Sequence, residues 1–146
     1  MRDVLLSAGT LLRQSGGFGW DEDEFTEERL TTWVRAREGI IARRSGAVVG
    51  AALLQWARAD LWRDFQNSDA GFLNKLAVAR RVRGNGIGDA IINWAVDQVR
   101  ARNRKYLRLD CGPWPKLCSF YRRLGFEELD RVEINGAVFV RFQRQV

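Results

Sequence analysis

The chain has no histidine, only two cysteines and one methionine, and no apolar run long enough to cross a bilayer. Each absence removes a class of function. Without an imidazole base, neither a Ser-His-Asp triad nor a Cys-His nucleophile can be assembled. Two thiols, Cys111 and Cys118, are too few soft ligands for a zinc site, so no metal is expected. They read as small buried filler, with a reactive Cys111 at a strand end as the alternative. No segment approaches the ~20 apolar residues of a membrane-spanning helix. The start, Met-Arg-Asp-Val-Leu-Leu, lacks the apolar stretch and cleavage site of a secretory signal. A cytoplasmic protein without a membrane partner is the expectation.

What is present fits one globular domain over residues 1–146, with enough chain for a real core. The net charge of +6 is unevenly spread. Residues 1–70 carry 9 basic and 11 acidic side chains, and residues 71–146 carry 15 basic and 7 acidic. A basic half raises the question of nucleic acid. The arginines are scattered among strands and helices rather than interleaved with exposed aromatics, so no nucleic-acid partner is expected. Many of them read as solvated surface.

The densest signal is Arg83-Gly-Asn-Gly-Ile-Gly88, between an apolar strand (Phe72 to Val78) and an amphipathic helix (Ile87 to Val99). A glycine-rich turn opening a helix presents unpaired N–H groups with the helix dipole behind them, which suits a phosphate or pyrophosphate. Arg83 adds a forked cationic donor at the mouth. The P-loop pattern is excluded because no Lys-Ser or Lys-Thr follows, and the G-x-G-x-x-G fingerprint fails on spacing. What remains is Arg-x-x-Gly-x-Gly, filled by Arg83, Gly86 and Gly88. The plain alternative, for the loop by itself, is a capped turn with no ligand.

Around the loop, the periodicity predicts a helix over residues 3–14 from Val4, Leu5, Ala8, Leu11 and Leu12, ended by Gly16-Gly17. An aromatic, acidic connection (residues 18–25) leads to Thr26 as N-cap of a second helix carrying Leu30, Trp33 and Val34. Ile40 to Arg43 and Val48 to Gln55 read as strands turning at Ser45-Gly46, and residues 57–70, polar with Trp62 and Phe65 embedded, read as a loop. After the long helix come a strand (Tyr106 to Asp110) and a helix opened by Pro115, with Leu117, Phe120, Tyr121 and Leu124 on one face and Gly125 past its end. Two strands, Phe126 to Ile134 and Ala137 to Phe142, flank Asn135-Gly136. The order is α-α-β-β-β-α-β-α-β-β.

The Arg83-Gly86-Gly88 spacing resembles the acetyl-CoA pyrophosphate loop of the GNAT superfamily of N-acetyltransferases. Leu76-Ala77-Val78 is similar to that family's fourth strand, Asp89 to Ala95 to its third helix, and Leu107 to Asp110 to its fifth strand. Phe120-Tyr-Arg-Arg-Leu-Gly-Phe126 resembles the family's F-Y-x-x-x-G-F signature. The segments occur in family order over residues 70–146. The resemblance implies a three-layer α/β (α+β) fold whose central mixed, mostly antiparallel sheet splays between the family's strands 4 and 5. The family's domain opens with one more strand before its first helix, and this sequence begins directly at the helix: either that strand is absent or the start has been trimmed. An edge left unprotected by it favours self-association into a homodimer.

By the same resemblance, the protein is an N-acetyltransferase moving an acetyl group from acetyl-CoA to a primary amine, on a small molecule or peptide, by direct attack in a ternary complex. Backbone amides of Gly84, Asn85, Gly86, Ile87 and Gly88, with Arg83 beside them, hold the pyrophosphate. The main chain of Leu76, Ala77 and Val78 pairs with the pantetheine amides. Tyr121 matches the tyrosine that protonates the departing thiolate. From helical spacing alone Tyr121 reads as a core aromatic on the apolar face of its helix. The general base stays open: the position where some members carry glutamate is Asn74, and Asp110, Asp69 or the acidic loop could act through water. The run Asp21-Glu-Asp-Glu24, with Phe18, Trp20 and Phe25, either draws a cationic acceptor or is a solvated helix entry. The alternative function is a non-catalytic acyl-CoA-binding or sensing module on the same fold.

Overall fold

The computed structural model describes residues 1–14, 20–58, 60–65 and 68–146. The elements are α1 (Arg2–Gln14), a 3-10 turn (Glu22–Phe25), α2 (Glu27–Arg35), β1 (Gly39–Arg44), β2 (Ala47–Gln55) and β3 (Ala70–Val78). A second 3-10 turn (Arg80–Val82) leads to α3 (Ile87–Ala101), β4 (Tyr106–Cys111), α4 (Pro115–Arg123), β5 (Glu127–Ile134) and β6 (Ala137–Gln145). The helices and strands follow the order expected from the sequence, and the family's fourth and fifth strands correspond to β3 and β4. The strands form a six-stranded mixed, mostly antiparallel sheet in the order β1-β2-β3-β4-β6-β5. The expected stop at Gly16-Gly17, and Phe18, lie outside the described residues.

The chain forms two compact units, residues 1–54 with 75–93, and residues 55–74 with 94–146. In the first, Leu5, Ala8, Phe25, Ala51 and Ala77 make the buried cluster, flanked by Met1, Val4, Leu6, Trp20, Leu30 and Trp33. Thr26 caps α2 as expected, its hydroxyl accepting from the Arg29 N–H at 3.3 Å. Ser45 and Gly46 both take positive φ (48° and 79°), the combination that a two-residue hairpin turn needs. Gly50 on β2 fixes how α3 seats: a Cβ there would lie 2.8 Å from Ile91 Cδ1 and 3.0 Å from Ile87 Cγ2. The first turns of α3 rest directly on this bare backbone, which places the helix start beside the end of β3.

In the second unit, Leu61, Trp62, Ala70 and Phe72 form a buried cluster with Phe65, Tyr106, Leu129, Val132, Ile134 and Phe139 around it. β3 and β4 run parallel with register Ala70↔Tyr106 to Leu73↔Leu109. The ladder stops there, although β3 continues to Val78 and β4 to Cys111. β4 pairs antiparallel with β6 over six residues, from Tyr106↔Gln145 to Cys111↔Val140. The Asn135-Gly136 hairpin forms with φ of 52° and 78°, and Gly125 ends α4 at φ 82°.

Two arginines stand apart from the many that read as surface. Arg108 and Arg141 are each 3% exposed. Arg141 reaches Asp64 and Asp130 in two-pronged contacts and donates to the Leu61 carbonyl at 2.8 Å. Arg108 pairs with Asp69 at 3.0 Å and with Gln143 at 2.9 Å. A buried guanidinium persists only when its donors are satisfied, and both meet that condition. The segment expected as a loop with Trp62 and Phe65 embedded carries buried anchors, among them Trp62, which is fully buried.

Candidate functional site

The loop between β3 and α3 is built from consecutive turns. The Ala79 N–H donates to Val49 O at 2.8 Å, tying the end of β3 to β2. Val82, Arg83 and Asn85 then donate to Ala79, Arg80 and Val82 respectively, at 3.0, 3.3 and 3.3 Å. Gly84 and Gly86 adopt φ of 82° and 73°, which a side chain resists. A Cβ on either would meet nothing within 4 Å, so the glycines serve backbone conformation and face open space. The first donor inside α3 is Ala90, bonding Gly86 O at 2.9 Å.

This arrangement narrows the expected set of anion donors. Arg83 and Asn85 use their amides inside the turn. Gly84, Gly86, Ile87 and Gly88 are left as candidates at the mouth of a 15-residue helix. The Arg83 side chain is exposed at the rim. The donor set suits a diphosphate: several amides at one helix start, positive dipole behind them, room in front, and a fixed cation beside them. Leu76, Ala77 and Val78 lie just upstream at the end of β3, with Ala77 buried in the core cluster.

β3 holds a feature that its sequence does not announce. Lys75, in mid-strand, has φ 52°. Its ammonium lies over the Trp20 and Phe25 rings at 5.2 and 5.3 Å and pairs with Glu24 at 2.5 Å. Two other acids of the run are engaged too: Glu22 with Arg2 at 3.1 Å and Asp21 with Arg13 at 3.7 Å. Asp21 and Glu24 also close a capping box on the 3-10 turn. Three of the four acids are thus matched by the chain's own cations, which favours the helix-entry reading over a free cation trap.

Asn74 sits in a polar chain of side chains. Its amide donates to Gln55 Oε1 at 2.9 Å, and its oxygen accepts from Arg58. Arg58 also binds Asp60 and lies 3.7 Å from Asp110. Asp110 accepts from the Trp62 indole N–H at 3.0 Å. Of the carboxylates considered as base, Asp69 is held by Arg108, while Asp110 is held by Trp62 and Arg58.

Tyr121 lies on the buried face of α4, with its ring against Phe120, Phe126 and Phe142 at centroid distances of 5.2, 5.8 and 5.8 Å. Burial pushes its phenol well above the usual tyrosine range, with Cys111, Asp110 and Cys118 adding to the effect. It therefore keeps its proton at any physiological pH. Cys111 and Cys118 are both free and buried. Burial, and then Cys118, push the Cys111 thiol far up, so it carries no thiolate for nucleophilic chemistry.

Comparison with known proteins points one way. The model of the acetyltransferase (GNAT) family matches residues 6–126. The uncharacterised N-acetyltransferase YesJ of Bacillus subtilis (strain 168) is 38% identical over 74 residues, which is 50% of this chain and 41% of YesJ. The chain thus spans less than half of that relative. A GNAT acetyltransferase from Listeria monocytogenes 4b F2365 superposes with TM-score 0.76 at 22% identity, covering 99% of this chain and 86% of that one. A GNAT acetyltransferase from Elizabethkingia anophelis, solved with acetyl-CoA bound, superposes with TM-score 0.64 at 15% identity, covering 99% and 89%. At these identities the structural likeness speaks for the fold.

Proposed function

The chain belongs to the GNAT family of acetyltransferases, and we propose that it moves an acetyl group from acetyl-CoA to a primary amine by direct attack in a ternary complex. The observation that carries this reading is the turn from β3 into α3. Its two positive-φ glycines face open space at the start of a 15-residue helix. The reading takes residues 1–146 as one acetyltransferase domain. It places the protein in the cytoplasm, where both thiols stay reduced.

The roles follow from the chemistry of each group. Amides of Gly84, Gly86, Ile87 and Gly88 hold the pyrophosphate, with Arg83 and Asn85 at the rim. The main chain of Leu76, Ala77 and Val78 pairs with the pantetheine amides as an added strand would. One N–H of that stretch polarises the thioester carbonyl and stabilises the tetrahedral oxyanion. Tyr121 gives its proton to the departing sulfur. Burial raises the proton affinity of a thiolate as it does that of a phenolate, so the transfer stays feasible in a dry site. The acceptor is an amine of a small molecule or peptide, and its proton leaves through water, because Asn74 has no basic oxygen.

The test is release of free CoA thiol when acetyl-CoA is mixed with the protein and a panel of polyamines, aminoglycosides and peptide N-termini. Release with at least one amine, lost in Tyr121→Phe, supports the proposal. Thermal stabilisation by acetyl-CoA with no thiol release for any amine supports instead a binding or sensing module.

A further inference from the structure

We infer that Asp110 is the carboxylate that takes up the acceptor's proton, and that Arg58 and Trp62, from the segment between β2 and β3, are the positioning residues that hold it. The inference rests on the acetyltransferase reading above and picks one carboxylate where the sequence leaves several open. β3 and β4 run in register from Ala70↔Tyr106 to Leu73↔Leu109, and there the ladder ends. One step further come Asn74 and Asp110, on one face by alternation. Arg58 spans them: its Nη1 donates to Asn74 Oδ1 and lies 3.7 Å from Asp110 Oδ1. The guanidinium therefore sits at the open end of the ladder, and Asn74 is two residues ahead of Leu76, where the pantetheine pairing is proposed to begin.

The surroundings suit a proton acceptor. The side chains of Arg58 and Asp110 are each 13% exposed, mostly dry yet reachable by water. The Trp62 indole, itself fully buried, donates to Asp110 Oδ1 at 3.0 Å and fixes its orientation. Arg58 is anchored in turn by Asp60, to which its Nε donates at 2.8 Å. One guanidinium against two carboxylates leaves the group with a net negative charge for an ammonium to meet. Arg141, the register partner of Asp110 on β6, is committed to Asp64 and Asp130. Arg108, two residues back on the same face of β4, pairs with Asp69. Asp69 fits the role less well, because it lies at the closed end of the ladder, its main-chain oxygen accepting from the Lys105 and Tyr106 N–H groups at 2.8 and 3.1 Å.

Tyr121 works from the other side of the strand. Its ring lies against Phe142, the register partner of Leu109, whereas Asp110 shares the opposite face with Arg141 and Trp62. An ammonium loses two protons on becoming an amide. The nitrogen bonds to the thioester carbon and the C–S bond breaks. Tyr121 gives its proton to the sulfur and recovers one from the nitrogen. The other proton passes through water to Asp110 and from there to solvent, so both groups regain their starting forms.

The experiment follows thiol release from acetyl-CoA with the most active amine of the panel, from about pH 6 to about pH 9. Melting curves and calorimetric acetyl-CoA affinity are the controls. Asp110→Asn should lower kcat about a hundredfold near neutrality and leave acetyl-CoA affinity within about twofold. Its kcat should then climb about tenfold per pH unit, because only amine that arrives already deprotonated reacts, while the wild type stays flatter. Adding Asn74→Asp puts a carboxylate on the same Arg58 nitrogen and should recover about tenfold. Structural damage would lower the rate by one factor at every pH and would not be mended from position 74. Should Asp110→Asn alone not melt cooperatively, the double variant carries the test: folded and within about tenfold of wild type supports the proposal, and folded but inactive overturns it. Equal turnover by Asp110→Asn, a loss that is the same at every pH, or a folded double variant no better than the single would also overturn it. A wild type that releases no thiol with any amine would overturn the acetyltransferase reading itself, and this proposal with it.

Discussion

Lys75 and Glu24 form a 2.5 Å ion pair that ties the middle of β3 to the 3-10 turn ahead of α2. The contact also places the ammonium over Trp20 and Phe25. Holding a lysine at φ 52° costs on the order of 1–3 kcal/mol. The ion pair and the rings offset that cost and fix the strand just before Leu76. A double-mutant cycle of Glu24→Gln and Lys75→Met, read by urea unfolding, should give a coupling of about 0.5–1 kcal/mol, modest because Glu24 is partly exposed. Zero coupling would show that the pair does not help hold the left-handed residue.

The same pairing bears on the acceptor. Asp21, Glu22 and Glu24 are already matched by Arg13, Arg2 and Lys75. Replacing Asp21 and Glu22 with Asn and Gln should therefore change KM for a polyamine by less than about twofold, since surface charges that are already paired contribute little to steering. A tenfold rise in KM for polycationic amines alone, about 1.4 kcal/mol, would mean that the run does attract the substrate.

Tyr121→Phe should lower kcat by about a hundredfold and leave acetyl-CoA affinity nearly unchanged, as expected for a lost proton donor. The raised phenol also predicts pH behaviour. Tyr121 and Cys111 are both shifted upward in the folded protein, so what they contribute to stability is complete below their unfolded pKa values and falls away at higher pH. Stability should thus begin to fall above about pH 8.5 from Cys111 and above about pH 10 from Tyr121. Tyr121→Phe should remove the second component, while kcat of the wild type should show no basic limb from this residue below about pH 10. Equal turnover by Tyr121→Phe would take the role away from it.

Arg141 gives an acid-side prediction. Its hydrogen bonds hold Asp64 and Asp130 below the usual carboxylate range. That contribution is present above their unfolded pKa of about 3.9 and is lost as pH falls through the lower folded values. Arg141→Met should destabilise the protein by about 1–2 kcal/mol near neutrality, less than breaking a fully buried pair costs, because Asp64 and Asp130 are about half exposed and rehydrate. The variant should also lose less stability than wild type between about pH 5 and pH 3. Parallel pH curves for the two proteins would contradict this account.

The local signals were legible because they act over a few residues. Thr26, Ser45-Gly46, Pro115, Gly125 and Asn135-Gly136 each impose a cap or turn through their own backbone preferences, and each does so in the structure. The loop at residues 83–88 could be read for the same reason, down to the helix start at Ile87. What could not be read depends on distant partners. Lys75 looks like an ordinary strand residue until Glu24, Trp20 and Phe25 are brought to it. Arg108 and Arg141 look like surface until Asp69, Asp64 and Asp130 arrive from a segment that reads as loop. The donor count at the loop changed for a related reason: which amides turn inward is decided by the 3-10 turn at Arg80–Val82, and nothing in Arg80-Arg81-Val82 signals that turn.

The central claim is that the start of α3 grips the diphosphate of an acyl-CoA, and titration calorimetry with acetyl-CoA tests it most directly. Wild-type protein should bind with measurable heat, whereas Gly86→Val, which forces a β-branched residue to φ 73°, should melt cooperatively yet give none. No heat from the wild type, or the same affinity in a folded Gly86→Val, would contradict the account.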